Sequence, residues 1–317
     1  MLFNLRRILF LQTLLCTFIL GIMLACGGDS GTPSGSTPPP AGGQVVFPGS
    51  SWQTASASQV GLSDSGLQAG IREMMANGSH CVAVVKDGYL IASEGSTRRK
   101  NPMSVGKSVL SSAIGMLYTN GKIRSLDEAG IGSGVTIKEN LQQNASGRWN
   151  YSPTGAQSDA AAIVRKFGGN VKNLVFDPLG MRNSTINNSS GFMDSTCEDL
   201  ARWGHLIAQG GNWNGRQLIN DQYMRESVQP VPGNSAYGYL YWLNQPGRWS
   251  STLGMSGNGN AIPGAPNNAI YGKGFGGQIV LILPDSGLVV VRLGDDNLLA
   301  DTMGAARMVY NSVSKAF

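Results

Sequence analysis

The sequence holds two histidines, His80 and His205, and contains neither G-x-S-x-G nor H-E-x-x-H. A Ser-His-Asp triad of the α/β-hydrolase kind is therefore poorly supported. So is a histidine-ligated zinc site, and no residue pattern asks for a metal or a cofactor. Charge is scarce: Asp, Glu, Lys and Arg make up 14% of the 317 residues, and the formal net charge is +5. The one basic cluster, Arg98-Arg99-Lys100, is too small for a surface that follows a phosphate backbone, so nucleic acid is not an expected partner. Of four cysteines, only Cys81 and Cys197 lie beyond residue 26. A disulfide between them and two buried thiols both fit. Apolar residues are plentiful at 41%, enough to bury a sizeable core in one large domain or two interleaved ones.

The apolar run over residues 8–24 follows Arg6 and Arg7 and leads into Met23-Leu24-Ala25-Cys26-Gly27-Gly28. A basic start, an apolar stretch and a small residue before the break describe a secretory signal over residues 1–25. Cysteine directly after the break resembles a bacterial lipobox, with Cys26 as the acylated first residue. An ordinary signal peptide and an uncleaved anchor helix are the alternatives. The expected location is outside the cytoplasm, on the periplasmic side or cell surface of a bacterium, with the membrane reached through the lipid on Cys26. Residues 26–50, rich in Gly, Ser, Thr and Pro and including Pro38-Pro39-Pro40, read as a flexible tether. Loss of Arg6 and Arg7 with the signal lowers the formal charge to +3.

The segment Ser104-Val105-Gly106-Lys107 opens a helix of small and apolar residues that runs to about Tyr118, with Pro102 before it and Gly121 after it. Three residues apart on a helix means one face, so the hydroxyl and the amine can meet. Serine needs a neighbour to take its proton, and lysine can do so only if burial or a positive field depresses its pKa. The positive end of a helix starting at Ser104 supplies such a field, and its free N–H groups can hold an oxyanion. A second S-x-x-K, Ser312-Val313-Ser314-Lys315, falls in a C-terminal tail expected to fray. The ordinary reading of an isolated S-x-x-K is a helix cap followed by a solvated lysine, so context has to separate the two copies.

Upstream of Ser104, residues 66–76 have helical spacing. Strands over 81–86 and 89–92 flank Asp87-Gly88, a strong hairpin signal. Residues 158–167, 171–176 and 197–209 look helical, with Ser195 and Glu198 as a capping box for the last. No strand candidate stands between about 125 and 215, so a helical block is inserted into something else. Within it, Tyr151 is a phenol that could relay a proton beside a Ser–Lys pair, although an isolated tyrosine in a turn is usually packing. Residues 237–243 are strand-like. Strands over 279–283 and 288–293 join at Asp285-Ser286-Gly287, and residues 298–315 read as a helix. Trp149, Tyr241, Trp242 and Phe275 suit an apolar cleft or the core equally, and His205 reads as structural.

Taken together, these landmarks resemble the serine β-lactamase and penicillin-binding-protein superfamily, and most closely its class C-like branch with the family VIII esterases and 6-aminohexanoate-oligomer hydrolases. The likeness spans roughly residues 60–310. It rests on Ser104-Val105-Gly106-Lys107-Ser108, Asp177-Pro178-Leu179-Gly180-Met181, the run from Ser195 to Gly204, Gly211-Asn212-Trp213-Asn214-Gly215, Tyr237-Gly238-Tyr239 with Tyr241-Trp242, and Gly274-Phe275-Gly276-Gly277-Gln278. The resemblance implies an α+β, β-lactamase/transpeptidase-like fold. Residues 51–317 would form one hydrolase domain, an antiparallel sheet flanked by helices from 51–125 and 215–317, with an all-helical insertion over 126–214. It implies Ser104 as acylated nucleophile, Lys107 as general base and Tyr151 as proton relay. The N–H groups of Ser104 and Phe275 would form the oxyanion hole, with Ser152, Lys273, Gly274, Gly276 and Gly277 along the substrate cleft. The implied activity is hydrolysis of a small-molecule ester or amide without a cofactor. The alternative is a catalytically impaired ligand- or β-lactam-binding protein. Pro153, where class C β-lactamases carry asparagine, favours the esterase and amidase relatives over a β-lactamase. No faithful K-[ST]-G precedes the closing strand; Lys273-Gly274-Phe275 is a partial match. The short stretch from Ser146 to Tyr151 predicts a more open cleft on that side.

Overall fold

The two residues of the Asp87-Gly88 turn both take positive φ, 51° and 86°, the geometry that matches the natural twist of two antiparallel strands. They join β2 (Ser79–Lys86) to β3 (Tyr89–Gly95) in a computed structural model that describes residues 44–295 and 302–317. The sheet has seven strands, completed by β1 (Gln53–Thr54), β4 (Trp242–Leu243), β5 (Ile270–Gly274), β6 (Gln278–Leu283) and β7 (Leu288–Gly294). Their spatial order is β1-β3-β2-β7-β6-β5-β4. Every pairing is antiparallel except that of β1 with β3, so the expected antiparallel sheet is a mixed one at its edge. All residues of β6 and β7 are buried, as their unbroken apolar runs require of strands covered on both faces.

Among the described residues, eight α-helices flank or follow the sheet: α1 (Asp64–Ala76), α2 (Val105–Thr119), α3 (Ile137–Gln142), α4 (Gly155–Lys166), α5 (Asp177–Leu179), α6 (Cys197–Ala208), α7 (Asp221–Ser227) and α8 (Thr302–Val313). Alternation along β5 assigns the faces. The Tyr271 hydroxyl reaches Met303 of α8, whereas a Cβ on Gly272 would meet Val105 of α2 and Trp203 of α6. Helix α8, with α1 packed on it, thus covers one face, and α2 and α6 cover the other. Helix α6 lies against β2, β6 and β7, so the insertion expected over 126–214 ends before it. Two-residue ladders also occur within that block, Thr185–Ile186 with Met193–Asp194 and Asn212–Trp213 with Arg216–Gln217. They are too short to show as strand patterns.

Several local expectations shift. The cap of α6 is Thr196, whose side chain accepts from Asp199 N, while Ser195 bonds Ser184 instead. The strand expected over 237–243 shrinks to β4, because Leu240 turns the chain with φ of 60°. The tail is docked: Ser312 Oγ and Lys315 Nζ each lie 2.8 Å from Glu73 Oε2 on α1. The second S-x-x-K is therefore a clamp between α8 and α1. Cys81 and Cys197 form a disulfide that ties β2 to the start of α6, closing a loop of 116 residues and constraining the unfolded chain.

The signal peptide over 1–25, Cys26 and tether residues 26–43 lie outside the described residues, as does the first part of the helix expected over 298–315. Residues 44–50, assigned to the tether, are held on the domain. Val46 N donates to Asp87 O at 2.9 Å, His205 Nε2 bonds Val46 O at 2.9 Å, and Arg202 donates to Gly49 O at 3.1 Å. Phe47 packs against His205 and Trp213. Burial pushes the His205 pKa down to about 4, so the ring is neutral and structural. No helix of the described residues is long and apolar enough to cross a membrane.

Candidate active site

Helix α2 is buried along residues 105–117, and its small residues are what let it run through the core. A Cβ on Gly115 would stand 2.7 Å from the Tyr223 ring. Its serines satisfy buried phenols and an indole: Ser111 with Tyr223 at 3.0 Å, and Ser112 with Tyr241 at 2.8 Å and Trp203 at 2.9 Å. Ser108 Oγ donates to Leu240 O at 2.7 Å, joining the helix to the turn before β4. A buried helix of this kind is a rigid mount, suited to holding two reacting groups in register.

At its N-terminus, Ser104 occupies the cap position, yet its side chain makes no capping bond. Its Oγ lies 2.8 Å from Lys107 Nζ instead, and Ser104 itself is half-buried and reachable. Lys107 is 1% exposed. Its Nζ donates to Pro153 O at 2.5 Å and lies 5.1 Å from the Tyr151 ring centre. Burial lowers its pKa to about 7, because the charged form loses its water. Burial raises the Tyr151 pKa to about 12, only partly offset by the nearby Ser104 side chain. Near neutral pH the site thus holds an amine with a substantial neutral fraction and a protonated phenol beside the Ser104 hydroxyl, the protonation states a base and a proton relay need.

Ser104, Tyr151, Pro153, Thr252, Leu253, Lys273, Gly274 and Phe275 line one cavity of about 160 Å³. Lys273 is buried, with Nζ 3.7 Å from the centre of the Trp242 ring. Phe275 sits at the tip between β5 and β6 with its ring exposed. That tip is held from behind. Gln278 Nε2 donates to Gly276 O at 2.9 Å and to Gly294 O at 2.6 Å, and buried Arg292 donates to Gly277 O at 2.6 Å. Gly276 and Gly277, expected in the cleft, turn the chain with φ of 75° and 76° and do not line the cavity. Ser152 is also displaced from it. Side chains alternate along the segment, and Ser152 lines a neighbouring cavity of about 200 Å³ with Glu139, Asn150 and Asp159. Of the four aromatics, Phe275 reaches the cavity; Tyr241 is core, and Trp149 and Trp242 pack with Tyr151 and Tyr237.

One positioning residue was not foreseen. Gln143, buried with φ of 53°, accepts from Ser152 N at 2.6 Å and donates to the Tyr237 hydroxyl. Its backbone carbonyl accepts from Asn150 N at 3.0 Å. Both flanks of Tyr151 therefore hang on it. Gln143→Leu should lower kcat about 10- to 100-fold with little change in KM, the cost of a misplaced relay. Gln143→Glu, which can accept from both Ser152 N–H and the Tyr237 hydroxyl, should restore most of it. Equal losses in both variants would remove Gln143 from this role.

No family model and no curated protein sequence matches the chain. Solved structures do match it. A β-lactamase from Mycobacterium bovis is 16% identical, with a TM-score of 0.63 over 78% of this chain and 100% of that one. EstCE1, a hydrolase with promiscuous acyltransferase activity, is 12% identical, with a TM-score of 0.58 over 78% and 97%. A D-stereospecific amidohydrolase from Streptomyces is 13% identical, with a TM-score of 0.53 over 78% and 98%. The mixed sheet, the buried helix behind Ser104 and these neighbours place the chain in the fold shared by β-lactamases and penicillin-binding proteins.

Proposed function

We propose that the protein is a serine hydrolase that cleaves an ester or amide through an acyl-enzyme on Ser104. The observation that carries this reading is the 2.8 Å approach of buried Lys107 Nζ to Ser104 Oγ. In the reading, neutral Lys107 takes the hydroxyl proton as Oγ attacks the substrate carbonyl. Developing oxyanion charge meets the N–H groups of Ser104 and Phe275. As the tetrahedral species collapses, the carbonyl–leaving-group bond breaks, and the leaving group receives a proton through Tyr151, which is replenished from the Lys107 ammonium. Water then attacks the acyl-enzyme with its proton passing to Lys107, the acid departs, and the Ser104 hydroxyl is regenerated. Names borne by structural neighbours, a hydrolase with acyltransferase activity and an amidohydrolase, support hydrolysis in general.

The polypeptide carbonyl of Pro153, not a side-chain amide, meets Lys107, which supports an esterase or amidase over a β-lactamase. Export and lipid attachment at Cys26 remain part of the proposal, supported by the leader sequence and by a disulfide of the kind an oxidising compartment permits. A panel of p-nitrophenyl esters, small amides and a chromogenic cephalosporin, run beside Ser104→Ala, tests the reading. Ester or amide turnover that disappears with Ser104 is expected, with the cephalosporin the poorest substrate. Cephalosporin binding without turnover of any member would favour the binding-protein alternative.

A further inference from the structure

Six large apolar side chains are exposed among the described residues; two of them line the cavity, a third abuts a lining residue, and a fourth is on the same hairpin tip as Leu253. Leu253 and Phe275 line the cavity, 56% and 62% exposed. Met103 precedes Ser104 and abuts Gly274, whose added Cβ would lie 2.9 Å from it, and Met255 is two residues from Leu253. Exposed apolar residues scattered singly mean little, but a contiguous set beside a reacting group does.

The two tips that carry the set are built elements. Leu253 and Met255 cap a hairpin, Arg248–Ser250 paired with Ser256–Asn258, which Ser251 N closes with a 2.7 Å bond to Met255 O. Asn234 fixes it through bonds to Ser250 O and Ser250 N at 3.0 and 3.2 Å, and buried Trp249 roots it against Arg307. Phe275 rides on the tip that Gln278 and Arg292 hold. Among the described residues, Lys273 is the one charged side chain lining the cavity, and it is 2% exposed.

We infer that this rim binds an uncharged apolar arm of the substrate, an alkyl or aryl chain on the ester or amide that extends from the Ser104 cavity across Leu253, Met255 and Phe275. The inference rests on the hydrolase reading of the same site. The occupant follows from continuity: Leu253 and Phe275 share a cavity of about 160 Å³ with the Ser104 hydroxyl. A group on the rim is within a few bonds of the reacting carbonyl, whereas a protein partner or second copy seated there would cover the cavity.

The test is a chain-length series. For purified protein, kcat/KM over p-nitrophenyl acetate, butyrate, hexanoate and octanoate, and over acetate esters of ethanol to octanol, should rise about two- to fourfold per methylene in at least one series. Leu253→Ser and Met255→Ser should each reduce the long-to-short ratio several-fold. Binding of acetamide, butyramide, hexanamide and octanamide to Ser104→Ala protein by calorimetry reads the rim without turnover, and affinity should climb with length. Turnover with no length dependence in either series overturns the rim and leaves the hydrolase reading intact. Length-dependent amide binding without turnover of any ester or amide keeps the rim and removes the hydrolase reading. A dimer in solution that Leu253→Ser dissociates would assign the patch to a second copy and overturn the inference.

Discussion

Lys107→Met should abolish turnover and yet make the protein more stable near neutral pH. The loss of a positioned base costs about 10²- to 10⁴-fold in kcat/KM. Stability moves the other way because of what burial does to the amine. Its pKa falls from 10.5 in the unfolded chain to about 7 in the folded one, so between those values the unfolded chain binds more protons. Wild-type stability therefore rises as pH climbs through that window, and the native state carries the full cost of burial below it. The cost is roughly 5 kcal/mol on the scale of about 1.4 kcal/mol per pKa unit. Methionine removes it, at the expense of leaving the Pro153 carbonyl without its donor, about 1–3 kcal/mol. Chemical denaturation of both proteins from pH 6 to pH 10 should show the variant ahead by about 3 kcal/mol at pH 6–7. That lead should vanish or reverse by pH 10. A pH-independent difference would mean that Lys107 is charged in the folded protein.

Ser104→Ala should lower kcat/KM by about 10⁴-fold or more while leaving the fold unchanged. Ser104 makes no capping bond, so its hydroxyl is not a support of α2. The thermal midpoint should stay within a few degrees of wild type, since a single half-buried hydroxyl is worth about 1 kcal/mol. A large drop in stability together with activity would return Ser104 to the ordinary role of a helix cap.

How far the residues could be read in advance follows the physics of each. Ser104 and Lys107 were legible because three helical residues fix two side chains on one face, and the hairpin around Asp87-Gly88 because its turn residues tolerate positive φ. The disulfide was an open alternative, since nothing in spacing brings Cys81 to Cys197; the packing of α6 on β2 does. Ser152, Gly276 and Gly277 were expected in the cleft from the motifs that carry the resemblance. Such motifs do not say which way each residue faces where side chains alternate or where a tip curls back onto Gln278 and Arg292. Gln143 left no trace because a lone glutamine in a left-handed turn belongs to no periodic pattern. The tail S-x-x-K read as loose because its partner, Glu73, lies on the far end of the sequence. The helical insertion was drawn too long because amphipathic spacing cannot say whether α6 faces other helices or a sheet.

Activation of Ser104 by an amine that loses its proton near physiological pH sets how fast the hydroxyl reacts at each pH. The most direct measurement is the rate of covalent labelling by a fluorophosphonate as a function of pH, with the modified peptide identified by mass spectrometry. Labelling should fall on Ser104, rise with pH to half its maximum near pH 7 as Lys107 loses its proton, and lose that dependence in Lys107→Met. A half-maximum near pH 10, or label that persists in Ser104→Ala, would contradict it.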